Sequence, residues 1–209
     1  MEQVFGVPTA RIEAEIPRFV GFQEAAEDLA TWAERWEPHG EFRGRDLVEE
    51  DPSFQQLIPY VALTCRGTVL RMRRLVGGGE ERLHGKGSIG VGGHVNPEPP
   101  GPDPLLVRGL ARELDEEVVL AGVETSAPEL IGFLRDPTNA VGAVHFGLAC
   151  RVECSAPVPI RETETLIGEW VPVGELAAEI ESGAIETMET WSQFLVPAIV
   201  DRLTVAEGS

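Results

Sequence analysis

The sequence predicts an α/β (α+β) fold on three observations. Two β-rich runs, Leu57 to Thr64 and Thr68 to Leu75, flank Arg66-Gly67 and read as a hairpin. A second pair of apolar runs, Pro128 to Leu134 and Val141 to Val152, is joined by Arg135-Asp136-Pro137-Thr138-Asn139, whose Asp-Pro and Asn suit a turn. Helical patterns stand between and after these pairs. Leu106, Leu110 and Leu114 repeat at fourfold spacing, with Val107 and Val118 extending the stripe. Trp191, Phe194, Leu195, Ile199 and Leu203 mark a final helix over Glu186 to Leu203. At 209 residues and 43% hydrophobic, the chain suits one domain with an elaboration and is long enough to bury a core.

In chain order, Ile12, Ala14 and Ile16 alternate with charged residues, which predicts a strand with one wet face. Phe22, Ala25, Ala26, Leu29, Ala30, Ala33 and Trp36 recur at helical spacing, so Gln23 to Trp36 is expected as an amphipathic helix, with Trp32 and Trp36 in the core. Glu37 to Asp51 is charged, contains His39-Gly40, and reads as a linker or extended arm. Residues 1–53 are therefore expected as an N-terminal extension that covers the main domain or pairs with a second subunit, and residues 204–209 as a tail. On the second hairpin strand Arg71 and Arg73 point the same way, since side chains alternate. They either hold substrate phosphates or are ordinary solvated arginines. Gly77-Gly78-Gly79 and two Glu form a flexible loop, and Arg82 to Lys86 leads on, with His84 and Lys86 as phosphate-contact candidates. His145, inside the second strand pair, reads as a satisfied buried histidine. Gly174-Glu175-Leu176 opens a short helix to Ser182.

The rest of the chain is organised around Ser88 to Val119, which reads as a strand (Ser88 to Val91), a glycine pair (Gly92, Gly93), a proline-rich loop and a helix. Asp103 is the expected cap and Pro104 suits the first helical position, where no N–H is needed. Glu113 neighbours both Glu116 and Glu117 on the helix surface and lies off the apolar stripe. Carboxylates this close repel one another. A hard divalent cation removes the repulsion and keeps room for waters and a phosphate. The alternative is a solvated acidic face with Arg112 pairing to Glu116.

Gly92, five residues and Glu98, followed later by Arg112-Glu113-Leu114-Asp115-Glu116-Glu117, resemble the box of the Nudix hydrolase family, G-x5-E-x7-R-E-U-x-E-E-x-G-U with U a bulky aliphatic residue. The gap between Glu98 and Arg112 is longer than in that box, filled by an insert around Pro99-Pro100-Gly101-Pro102-Asp103-Pro104, and Val119 stands at the second glycine. Leu120-Ala121-Gly122 is expected to turn the chain instead. The resemblance covers roughly Phe54 to Leu203, the expected main domain of residues 54–203. It implies a Nudix-like α/β/α sandwich with a mixed central sheet. It also implies Mg2+ (or Mn2+) held by Glu113, Glu116, Glu117 and the carbonyl of Gly93, with Gly92, Glu98 and Arg112 structural. The reaction implied is hydrolysis of a phosphoanhydride by metal-activated water. The base is then Glu113 or Glu116, or Glu162 or Glu164 from a loop outside the box, where the bland alternative is an acidic surface loop. Arg71, Arg73, Lys86 and His94 are the substrate-contact candidates, His94 being equally suited to stabilising the loop.

Two rival readings differ in chemistry. An isomerase resembling isopentenyl-diphosphate isomerase needs a catalytic Cys shortly before the box, and none lies between Cys65 and the glycine pair. A catalytically impaired nucleotide-binding regulatory module would keep the fold and lose turnover. The net charge of −18 argues against a nucleic-acid polymer or an anionic membrane as partner. A small phosphorylated, nucleotide-derived substrate is compatible with it because a metal supplies positive charge locally. Cys65, Cys150 and Cys154 read as free thiols in a reducing compartment. No signal peptide and no bilayer-spanning run is expected, which points to the cytoplasm, with a homodimer through the N-terminal quarter as an option.

Overall fold

The computed structural model describes residues 2–74, 86–161, 163–164 and 166–207. The chain is α+β, with a mixed sheet and six α-helices among the described residues. It divides into two units, one of Met1–Tyr60, Gly92–Glu113 and Pro128–Cys150, the other of Val61–Val91, Leu114–Ala127 and Arg151–Ser209.

In the first unit β1 (Gln3–Pro8) pairs antiparallel with β3 (Glu41–Gly44) and with the start of β4 (Phe54–Cys65). The strand order there is β4-β9-β8-β2, with β2 at Gly21–Glu24, β8 at Glu129–Arg135 and β9 at His145–Glu153. β4 and β9 run parallel, because hydrogen-bonded positions rise together along both: Gln56 N–H to the Val144 carbonyl, and Cys154 N–H to the Thr64 carbonyl. β2 and β8 are antiparallel, from Gly21 opposite Arg135 to Glu24 opposite Gly132. All twelve residues of β4 are buried.

The N-terminal expectations are corrected in three places. Ile12, Ala14 and Ile16 do not form a strand. Thr9–Glu13 is a helix, α1, and Ile12 and Ile16 are buried one helical turn apart while Ala14 is exposed. The expected helix from Gln23 begins only at Leu29, as α2 (Leu29–Trp36), because Asp28 caps it by accepting from the Thr31 N–H at 2.8 Å while Phe22 and Gln23 pair with β8. Glu37 to Asp51 is not a bare linker; it holds a 3₁₀ turn (Glu37–His39), β3 and a short helix, α3 (Arg45–Val48). Trp32 and Trp36 are core, packed edge-to-face against Phe133 and Phe146 at ring separations of 5.1 and 5.8 Å.

In the second unit Arg66 (φ 48°) and Gly67 (φ 73°) turn β4 into β5 (Thr68–Arg74), the two left-handed residues that a tight hairpin needs. β10 (Leu166–Pro172) pairs antiparallel with β5 from Leu166 opposite Arg74 to Pro172 opposite Thr68. The expected strand from Ser88 is two short pieces, β6 (Gly87–Ser88) and β7 (Gly90–Gly92). The break falls at Ile89, whose N–H leaves the ladder for Ser192 Oγ at 2.9 Å. Gly122 is left-handed (φ 79°) and turns the chain ahead of β8. α5 (Val173–Ser182) ends at left-handed Gly183, and α6 is Thr190–Glu207, later than expected because a 3₁₀ turn occupies Ala184–Thr187. Leu75, the triple-glycine loop, Arg82 and His84 lie outside the described residues. No helix among the described residues is long and apolar enough to cross a membrane.

Candidate active site

The acidic box residues lie on α4 (Leu105–Glu117). Its fourfold stripe is buried as expected: Leu106, Leu110 and Leu114 face the interior, and Val118 follows directly after. The cap is not Asp103. The Leu106 N–H donates to a carboxylate oxygen of Glu37 at 2.8 Å, and the Arg108 N–H to the Pro104 carbonyl at 3.1 Å, so an acid far back in the sequence satisfies a free donor of the first turn.

Arg112 gathers the loop before the helix. Its Nε donates to Glu98 at 2.7 Å, and one terminal nitrogen reaches the His94 carbonyl (2.7 Å), Asn96 Oδ1 (3.0 Å) and Glu113 (2.7 Å). The long insert therefore leaves Glu98 bonded to Arg112. Glu113 is 8% exposed and holds one oxygen on Arg112. Its carboxylate also lies against the α-carbon of Gly93, in space that any Cβ there would occupy. Gly92 is equally confined, since a Cβ would overlap the Pro59 carbonyl. Glu116 is exposed and Glu117 half-buried, with the Glu117 carbonyl accepting from the Arg161 N–H at 2.8 Å.

Gly92, Gly93, His94, Glu98, Arg112 and Glu113 are thus brought together. The other candidates have different surroundings. Arg71 is committed to Glu169 (2.6 Å) and Glu179 (2.6 Å), and exposed Arg73 lies 3.9 Å from Glu169, which favours ion pairing on the sheet for Arg71. Lys86 and Glu164 are exposed, and Glu162 lies outside the described residues.

His145 is half-buried and satisfied, with a partner that sequence reasoning missed. Its Nδ1 faces the Val141 carbonyl at 2.6 Å and its Nε2 faces His94 Nε2 at 3.1 Å. The carbonyl can only accept, so Nδ1 of His145 carries the hydrogen and Nε2 of His94 donates to its neighbour. Burial, then the adjacent His145 and Arg45, depress His94 to about 4, outweighing the opposite pull of Glu2 and Glu49. His145 is lowered too, chiefly by burial. Below the usual value of 6.5 an unfolded chain takes up the proton first, so stability holds above that pH and falls as pH drops from 6.5 towards about 4. For His94 the expected loss is on the order of 2–3 kcal/mol. Urea unfolding at pH 7 and pH 4.5 checks it: the difference should shrink in His94→Asn, and an unchanged difference would assign the effect to other groups.

Comparison with known proteins bears on these features. No family model matches the chain. Protein YmaB of Bacillus subtilis (strain 168) is 39% identical over 156 residues, covering 73% of this chain and 74% of that protein. The crystal structure of Tm1382, described as a candidate Nudix hydrolase, superposes with a TM-score of 0.78 at 29% identity, covering 96% of this chain and 99% of that one. The chain belongs to the Nudix hydrolase family. Nudix hydrolases are pyrophosphohydrolases, and this chain is an enzyme of that type. Among the residues expected from the Nudix box, the pairing of Glu98 with Arg112 across the insert is the feature that spacing alone left open. Glu37 and Asn96, which also hold this Nudix helix and its loop, carry no local sequence signal.

Proposed function

We propose that the protein is a divalent-metal-dependent hydrolase that cleaves a phosphoanhydride bond in a nucleoside diphosphate linked to another moiety, by attack of water on phosphorus. The observation that carries this reading is Glu113: a nearly buried carboxylate, oriented by Arg112 and pressed against the backbone at Gly93. The donors fit a hard cation such as Mg2+ or Mn2+, being carboxylate oxygens with a close-approaching backbone beside them. Among the described residues no three acidic, His or Cys side chains converge on one point; the carboxylates of α4 that would hold the ion are Glu113, Glu116 and Glu117. When bound, such an ion lowers the pKa of water and offsets phosphate charge.

The chain's own residues do the rest. Arg112 keeps Glu113 in a single orientation and ties it to the loop at His94 and Asn96. Glu116, exposed to solvent, is our candidate to accept the proton of the attacking water, with Glu113 and Glu164 as the other described candidates. Hydrolysis of a panel of nucleoside diphosphate derivatives with and without Mg2+ or Mn2+, read as release of phosphate or nucleoside monophosphate, tests the reading. Metal-dependent turnover of at least one class is expected. No turnover across the panel, together with a nucleotide-induced rise in Tm, would replace it with a binding module.

A further inference from the structure

We infer that Glu37 is a positioning residue for the carboxylates of α4, and that the N-terminal segment thereby belongs to the hydrolytic apparatus; this rests on the metal-dependent reading above. The Glu37 carboxylate is the partner of the Leu106 N–H, at 2.8 Å and 69 residues away in sequence. Glu37 itself cannot drift. Its backbone N–H closes α2 on the Ala33 carbonyl, and α2 is fixed by Trp32 and Trp36, whose rings pack on Phe133 and Phe146. An exposed cap side chain would leave the first turn of α4 free to fray. A half-buried one on an aromatic-anchored helix sets where α4 begins along its axis.

The same segment also holds the loop that Arg112 grips. The Phe5 N–H of β1 donates to the Val95 carbonyl at 2.8 Å, and Asn96 donates through Nδ2 to the Gln3 carbonyl at 2.9 Å while its Oδ1 accepts from Arg112. Val95 in turn packs directly on the α4 backbone, its methyls 3.1 Å from where a Cβ on Gly109 would stand. α4 is therefore located from two sides by residues outside the box, Glu37 at its first turn and the Gln3–Asn96 tie beside Arg112. A helix transmits a displacement at its start along its length, about 1.5 Å for each residue of slip. Metal-binding carboxylates tolerate little of that, since a site about 1 Å too loose is already a failed one.

The test uses the full chain as wild type, Glu37→Ala and Glu37→Gln, with Glu37→Asp in place of the alanine variant if that one does not fold. Glutamine keeps an acceptor oxygen for the Leu106 N–H, whereas alanine removes it and aspartate withdraws it by one methylene. Three quantities are read: Mn2+ binding by electron paramagnetic resonance, amide exchange at Leu106 to Gly109, and kcat and KM on the best substrate of the panel. The expected result for alanine or aspartate is faster exchange, Mn2+ binding weakened about tenfold and kcat lowered about tenfold with KM little changed, with glutamine restoring most of each. Faster exchange with wild-type Mn2+ binding and kcat would overturn the inference, leaving Glu37 a helix cap alone. A wild type that neither binds Mn2+ nor turns over substrate would bring down the metal-dependent reading and this inference with it, a result separate from an active wild type whose variants are unaffected.

Discussion

Glu116→Gln is expected to lower metal-dependent turnover about a thousandfold and to leave the fold intact. Glu116 is exposed on the helix that also carries Glu113 and Glu117, one turn from the first and adjacent to the second. Exposed substitutions usually move stability by no more than about 0.5 kcal/mol. Removing one of three neighbouring negative charges also relieves repulsion worth a few tenths of a kcal/mol. The amide keeps the shape and loses both the ligand charge and the basicity, so activity and stability part company. The checks are kcat/KM at saturating Mg2+ beside the Tm of the same preparations. Turnover within a factor of three of wild type would show that Glu116 neither holds the ion nor takes the proton.

Arg112→Met should cost about 3 kcal/mol of stability as well as activity. The guanidinium is three-quarters buried and serves two carboxylates, Glu98 and Glu113, whose side chains are 14% and 11% exposed, besides the His94 carbonyl and Asn96. Methionine fills the volume but leaves two shielded negative charges without that cation, and breaking a buried pair on one side costs about 3–5 kcal/mol. Partial exposure and water entry place the expectation at the lower end. Arg112→Lys should recover only part of the loss, because one ammonium cannot reproduce a fork that bonds several oxygens at once. Chemical denaturation measures both variants. A loss below 1 kcal/mol in the methionine variant would reduce the cluster to the energetics of surface ion pairs.

What could be read from the sequence were features whose signal is local. The hairpin at Arg66-Gly67 shows because the turn itself demands left-handed residues. The stripe of α4 shows because Leu106, Leu110 and Leu114 return every turn to the same side. The N-terminal quarter misled for the same reason: Ile12 and Ile16 fit period two as well as period four, and only the exposure of Ala14 decides between them. Within the site, Glu98, Arg112 and Glu113 show as parts of the box motif and Gly93 as a glycine suited to close backbone approach, and these four do come together. The cap from Glu37 and the partnership of His94 with His145 join positions dozens of residues apart. No periodicity or motif encodes such pairs.

A ribosome releases residues 1–60 before the other members of their unit, Gly92–Glu113 and Pro128–Cys150, have been made. During that interval β4, buried throughout in the finished protein, has not yet gained the shelter of β9 and offers a long apolar strand with an open edge. The time between the emergence of β4 and the emergence of β9 (His145–Glu153) from the ribosome therefore sets how long the nascent chain carries an aggregation-prone edge, and a pause in that interval lengthens the exposure.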